Sequence, residues 1–106
     1  MKNSEISGIP AENEDAEMMV NIYPNPGEGL FTVEINGVCS DNIHIDVIDI
    51  KGVNIYSSEP IAINEKDMPV MLTQYLDLRK FASGIYQVRV GCGNKRDHRL
   101  IVIAKQ

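Results

Sequence analysis

Apolar and polar positions alternate in short runs along most of this chain. In residues 30–35, Phe31, Val33 and Ile35 lie on one face and Thr32 and Glu34 on the other, and residues 43–48 repeat the pattern. A period of two is typical of a strand with one buried face, whereas a helix would repeat every three to four residues. The pattern therefore predicts strands and no helix longer than one turn.

Turn residues separate the apolar runs at short intervals. Pro24–Gly27, Asn36-Gly37, Asp49–Gly52 and Gly91–Lys95 interrupt the alternation, and such spacing is typical of small all-β domains. The expected fold is an all-β, seven-stranded antiparallel immunoglobulin-like β-sandwich, with a partly open barrel as the alternative. The predicted strands are residues 20–23, 30–35, 43–48, 53–56, 70–78, 84–90 and 98–103.

The first 18 residues differ from the rest. Residues 1–18 carry Glu5, Glu12, Glu14, Asp15 and Glu17 against one lysine and show no sustained apolar period. Their composition favours disorder, so they are expected to be a disordered acidic linker or a cloning-derived leader. The polar start lacks the apolar stretch of a secretory signal peptide. The folded domain is expected to span residues 19–106.

Composition narrows the possible functions. The chain has 106 residues, 43% of them hydrophobic and none of them Trp, which predicts one domain with a small aliphatic core. No apolar run has the length of a membrane helix. The net charge of −5 argues against nucleic acid as a partner. Basic residues exceed acidic ones only in residues 89–106.

Four motifs then follow one another in a fixed order. They are Ile22–Pro26 (IYPNP), Val47–Gly52 (VIDIKG), Leu76–Tyr86 (LDLRKFASGIY) and a basic and aliphatic terminal strand that ends near Lys105. Together they resemble the type A C-terminal sorting domain of the type IX secretion system of Bacteroidetes. The resemblance covers residues 20–106.

The resemblance implies a non-enzymatic address carried by a larger secreted precursor. The implied partners are an upstream cargo domain in the same precursor, a type IX translocon or shuttle protein, and a sortase-like processing protease that cleaves within or near residues 5–19. Such a domain is in the periplasm in transit, peripheral to the outer membrane, and then reaches the cell surface or the extracellular space. No cofactor is implied.

The motif residues are expected mainly to define the fold, with direct recognition by a partner as the alternative. The two prolines fix φ and form a rigid corner. Gly84 is expected to supply backbone freedom before a strand, and Tyr86 to bury its ring while its hydroxyl bonds to the backbone. The fold-defining positions are Tyr23, Pro24, Asn25, Pro26, Asp49, Gly52, Leu76, Asp77, Leu78, Gly84 and Tyr86.

The terminal strand is the candidate for direct recognition by the export machinery. Its central run is apolar on both faces and is flanked by basic residues, which suits protein docking if one face is exposed. The alternative is that both faces are covered and the charges are only solvated. The candidate residues are Arg99, Leu100, Ile101, Val102, Ile103 and Lys105.

Catalytic and metal chemistry finds no support in the sequence. His44 and His98 lie on separate predicted strands without the partners of a triad or metal site, and no phosphate-binding loop is present. Cys39 and Cys92 fall in loops at the same end of an immunoglobulin-like sandwich, so they form either a disulfide or two partly buried thiols.

A second function remains open at this point. Small sandwiches also serve as adhesion or carbohydrate- and protein-binding modules through their loops. In this chain, the loop of residues 57–69 would supply the surface and Tyr56 or Tyr75 the aromatic platform.

Overall fold

The computed structural model describes residues 18–39, 41–63 and 70–106, and contains seven strands in these ranges. The acidic segment expected in residues 1–18 lies outside the described residues except for Met18, as does the part of the 57–69 loop from residue 64 onward. The strands are β1 (Met19–Tyr23), β2 (Leu30–Gly37), β3 (Ile43–Ile48), β4 (Asn54–Ser57), β5 (Val70–Asp77), β6 (Gly84–Cys92) and β7 (Lys95–Ile103).

The strands form two antiparallel sheets, as predicted. One sheet has three strands in the order β1-β2-β5, and the other has four in the order β4-β3-β6-β7. This is the strand order of an immunoglobulin-like sandwich, with β4 added to the sheet of β3, β6 and β7. The sequence prediction of an all-β sandwich is therefore confirmed.

The aliphatic core lies between the inward faces of the two sheets. Alternation directs every second side chain of each strand into it, and the exposed fractions of the central residues are near zero. Met18 is also buried, at 8% exposure, so the core begins one residue before the expected domain boundary. The most deeply buried large side chains are Ile35, Ile43, Ile45, Leu76, Leu78, Ile101 and Ile103.

The hairpin between β6 and β7 is tighter than the sequence suggested. Cys92 pairs with Lys95, so only Gly93 and Asn94 form the turn, and Gly93 has a φ of +62°. The expected turn over residues 91–95 is wrong because Gly91 continues the ladder and Cys92 is buried as an inward-facing strand residue. Cys92 is therefore the last residue of a strand and not part of a loop. The part of the chain that the structure describes holds no helix long and apolar enough to cross a membrane.

Candidate recognition surface

The Pro24–Gly27 segment covers the free edge of β7. The Asn25 side chain donates from Nδ2 to the Leu100 carbonyl and accepts at Oδ1 from the Val102 amide, both at 3.0 Å. Gly27 continues this pairing, donating to the Val102 carbonyl at 3.0 Å and accepting from the Ala104 amide at 2.8 Å. The chain thus leaves β1 at the prolines and seals the edge of the opposite sheet.

Two glycines make this crossing possible. A Cβ on Gly27 would lie 2.8 Å from the Pro24 carbonyl oxygen, and one on Gly29 would lie 2.8 Å from the Arg79 Cα. Gly29 also has a φ of +129°, which side chains rarely tolerate. From the sequence, Gly27 was expected only as the last residue of the Pro24–Gly27 turn, and Gly29, two residues further on, was given no role.

The Asp49–Gly52 motif closes the β3–β4 hairpin. The Asp49 carboxylate accepts from the Lys51 and Val53 amides at 2.9 Å, and the Gly52 amide donates to the Asp49 carbonyl at 2.9 Å. Gly52 has a φ of +87°, and a Cβ added there would have nothing within 4 Å, so its requirement is conformational.

The Leu76–Arg79 motif ends β5. Leu76 and Leu78 are fully buried on either side of Asp77, which is exposed. The Asp77 carboxylate accepts from Arg79 Nε and Nη2, each at 2.8 Å, and these bonds lower the pKa of Asp77 to about 2. The Leu78 amide donates to the Gly29 carbonyl at 2.7 Å, which joins this motif to the proline segment.

The start of β6 differs from the sequence expectation at Gly84 but not at Tyr86. The buried Tyr86 donates its hydroxyl to the Ala82 carbonyl at 2.7 Å, the kind of backbone bond that the sequence analysis expected. Gly84 is not among the glycines with positive φ, and a Cβ there would meet Tyr86 at an ordinary 3.8 Å. The interpretation that Gly84 must be glycine for backbone freedom is therefore wrong.

Tyr23, the first residue of the proline motif, lies on the outer face of the three-stranded sheet. Its hydroxyl donates to a Glu34 carboxylate oxygen at 2.6 Å across the β1–β2 pair. This bond raises the pKa of the Tyr23 phenol, because losing the proton would place two negative charges side by side.

The six candidate recognition residues of the terminal strand have different environments. Ile101 and Ile103 are in the core at 0% and 1% exposure, whereas Leu100 is 62% exposed and Val102 is half-buried. Of these four residues, only Leu100 and Val102 face outward on β7.

The two basic candidates hold parts of the molecule together. Arg99 Nε donates to the Val20 carbonyl at 3.1 Å, which joins β7 to the edge of the other sheet, and Arg99 also pairs with Asp97 at 3.3 Å. Lys105 donates from its amide to Ser83 Oγ at 3.0 Å and from Nζ to the Arg79 carbonyl at 2.6 Å, so the tail is tied to the β5–β6 connection.

A residue that the sequence analysis missed completes an apolar surface here. Ile85, on β6, is 51% exposed and pairs directly with Val102, with Leu100 one diagonal step away. We call Ile85, Leu100 and Val102 the apolar patch. The signal in the sequence was the outward position of Ile85, one residue before the inward-facing Tyr86.

The other half of the same outer face is polar, and the carboxylates of Asp46 and Asp97 lie there beside four basic side chains. His44, Arg89, Arg96 and His98 line a shallow depression of about 750 Å³, and Gly91 lies between His44 and Arg96 in the strand register. Without a side chain, Gly91 leaves room for the Arg96 guanidinium, whose Nη1 lies 3.2 Å from the position that a Cβ would take. We call these four side chains the basic groove. Among the described residues, no group of three or more His, Cys, Asp or Glu side chains is placed to hold a metal ion.

The two cysteines meet where the sheets approach each other. Cys39 follows β2 in one sheet and Cys92 ends β6 in the other, and their Cα atoms are 6.1 Å apart. The structure joins them as a disulfide, in a position like the inter-sheet bridge of immunoglobulin domains.

Tyr56 and Tyr75, considered above as an aromatic platform, differ in exposure and lie in different sheets. Tyr56, on β4, is half-buried and packs against the core, whereas Tyr75, on β5, is 76% exposed on the outer face of the other sheet. They do not form a shared aromatic surface.

Comparison with known proteins agrees with this architecture. No curated protein matches the chain. Residues 21–104 match the family described as the secretion system C-terminal sorting domain. The match includes the proline segment, the Asp49–Gly52 and Leu76–Arg79 motifs and β7, and it covers nearly the whole chain. The chain therefore belongs to the secretion system C-terminal sorting domain family, whose members are sorting signals for type IX secretion.

Proposed function

We propose that this domain is a non-enzymatic export address that a type IX translocon or shuttle protein reads through the apolar patch. Family membership makes the chain a sorting signal handled by the type IX system on the way to the outer membrane and the cell surface or extracellular space. The observation that supports the patch is the exposure of Leu100 and Ile85 beside a tightly anchored tail.

The motif residues form a structural frame that holds β7 in place. The proline segment, the Leu76–Arg79 motif and the Lys105 tail bond to one another around β7 through backbone and side-chain hydrogen bonds. Most of these residues are engaged within the domain, so a partner contacts the surface that the frame presents. Exposed apolar side chains fixed on a rigid strand lose little entropy on binding.

Cleavage and delivery of the cargo complete the export of the precursor. A sortase-like protease removes the domain by cleaving within or near residues 5–19, ahead of Met19, because a protease cleft accepts an extended segment and Met19 already pairs with Asn36 of β2. The cargo domain that precedes this segment is delivered to the cell surface or released. The domain itself performs no chemistry in these steps.

The test is an export assay with a reporter fused ahead of residues 1–106 in a type IX-competent cell. We expect Leu100→Glu to leave the reporter in the periplasm, because a charge in the apolar patch opposes docking. The matched control is Met71→Glu, which places the same charge on an 83% exposed residue of the opposite sheet, and it should be exported normally.

Thermal unfolding of both variants separates docking from folding. Leu100→Glu should melt within a few degrees of the parent because the side chain is exposed. Normal export of Leu100→Glu would refute the role of the patch, and failure of the parent fusion to leave the periplasm would refute the export function itself.

A further inference from the structure

The basic groove has unused positive charge. Arg89 and Arg96 are exposed, and among the described residues no carboxylate lies within ion-pair distance of either. Two carboxylates line the same depression: Asp97 pairs with Arg99, and Asp46 accepts from Ser57 Oγ at 2.7 Å and is the strand partner of Arg89. With Arg99 included, three guanidinium groups face two carboxylates, so a net positive charge remains that favours an anionic ligand.

The chain itself carries a matching anionic segment. Residues 12–17 contain Glu12, Glu14, Asp15 and Glu17. They hold most of the excess negative charge of the protein, whose remaining residues are nearly balanced. The two charged stretches lie at opposite ends of the sequence, so a contact between them would depend on the fold.

The strand arrangement places Met18, the residue that follows the acidic segment, on the β7 side of the sandwich. The segment enters the described structure at Met18, just before β1. β1 lies beside β7, since Arg99 bonds to the Val20 carbonyl, and both strands run in the same direction toward the Gly27–Ile103 bridge. Met18 and Met19 therefore lie toward the strand positions before Arg99, which include Arg96 and His98.

The acidic segment is long enough to reach across the basic groove. Six extended residues span roughly 20 Å, and neighbouring strands are about 4.8 Å apart. A segment that leaves Met18 beside β7 can therefore cross β7 and β6 to reach His44 on β3.

We propose that the basic groove binds the acidic segment of residues 12–17 and holds the junction between cargo and sorting domain against the four-stranded sheet. Carboxylates of the segment pair with the Arg89 and Arg96 guanidinium groups on the outer face of β6 and β7. Resting on the proposed function, this contact makes cleavage of the junction depend on its release from the domain. An export partner that takes up the outer face would supply that release.

The first test measures cleavage of the junction in the full chain. A glutamate-specific endoprotease should cut after Glu14 and Glu17 about fivefold more slowly in the parent than in an Arg89→Gln, Arg96→Gln double variant at low salt, since several exposed ion pairs add up to an effect of this size. High salt should remove the difference. The matched control is a Lys51→Gln, Lys80→Gln double variant, with the same loss of charge at exposed positions away from the groove, and it should be cut like the parent.

The second test identifies the ligand. In nuclear magnetic resonance spectra of the full chain, the amide signals of residues 12–17 should shift between the parent and the groove variant and not between the parent and the lysine control. Equal cleavage rates in all three proteins would overturn the proposal, as would groove signals that respond to added inorganic phosphate while residues 12–17 stay unchanged. Neither readout involves export, so failure here leaves the sorting function standing.

Discussion

Single side chains close the connections of this domain. The Asp49 carboxylate organises one turn, the Tyr86 hydroxyl holds the start of β6, and Asp77 ties itself to Arg79 immediately after β5. Each acts within a few residues of its own position. Because these contacts are local, single substitutions should change them in ways that can be measured directly.

The ion pair of Asp77 predicts a dependence on acid pH. The Arg79 bonds lower the pKa of Asp77 from 3.8 to about 2. A carboxyl group with a lowered pKa stabilises the fold above its unfolded-state pKa, and this contribution is lost as pH falls through about 2. Carboxyl titration followed by nuclear magnetic resonance should give a midpoint near 2 in the parent and an ordinary midpoint in Arg79→Gln. An unchanged midpoint in the variant would contradict the assignment.

Substitution by alanine should affect stability strongly at one glycine and weakly at another. Gly29→Ala should destabilise the domain by about 2 kcal/mol or more, because its φ is positive and the new Cβ would meet the Arg79 backbone. Gly84→Ala should change stability by less than about 1 kcal/mol, since a Cβ fits there. Urea unfolding measures both. A greater loss in Gly84→Ala than in Gly29→Ala would show that the backbone argument is wrong.

At the scale of elements, β7 is the strand on which the other motifs converge. One of its edges pairs with β6, and Asn25 and Gly27 cover the terminal part of the other. An uncovered edge strand is open to pairing with another chain. The proline segment therefore protects β7 while leaving its outward face free for docking.

Removal of the Asn25 side chain should expose this edge. Asn25→Ala loses two hydrogen bonds to β7, and we expect a loss of about 1–3 kcal/mol in the free energy of unfolding. Size-exclusion chromatography should show self-association that the parent lacks at the same concentration. Asn21→Ala, at an outward position of β1, is the control and should remain close to the parent in both measurements.

At the scale of the whole molecule, the Cys39–Cys92 disulfide joins the two sheets. The bridge spans 53 positions in sequence, and loop closure of this length predicts about 4 kcal/mol of stabilisation. Export to an oxidising compartment would allow it to form.

Mass spectrometry and unfolding test the bridge together. The oxidised protein should have a mass about 2 Da below that of the fully reduced chain, because bond formation removes two hydrogens. A Cys39→Ala, Cys92→Ala variant should unfold at lower urea concentration and no longer respond to reductant. Purification of the parent from an oxidising compartment with two free thiols would contradict this prediction.

The sequence alone was sufficient for the fold class and the family. Alternation in residues 30–35 and 43–48 determined which side chains enter the core, since a strand has only two faces. Asp49 and Gly52 identified their turn because its requirements are local. The order of the motifs identified the sorting domain for the same reason, since each motif is a contiguous stretch of chain.

Only the tertiary structure decided what the motifs do and which surface is exposed. The role of Asn25 depends on β7, 75 positions further along the chain, and the requirement at Gly29 depends on Arg79 in another connection. The terminal run Leu100–Ile103 is uniformly apolar, so its inward and outward members could be separated only by the pairing of β7 with β6. Contacts between distant segments are set by packing and register, and a linear pattern of residue types does not record them.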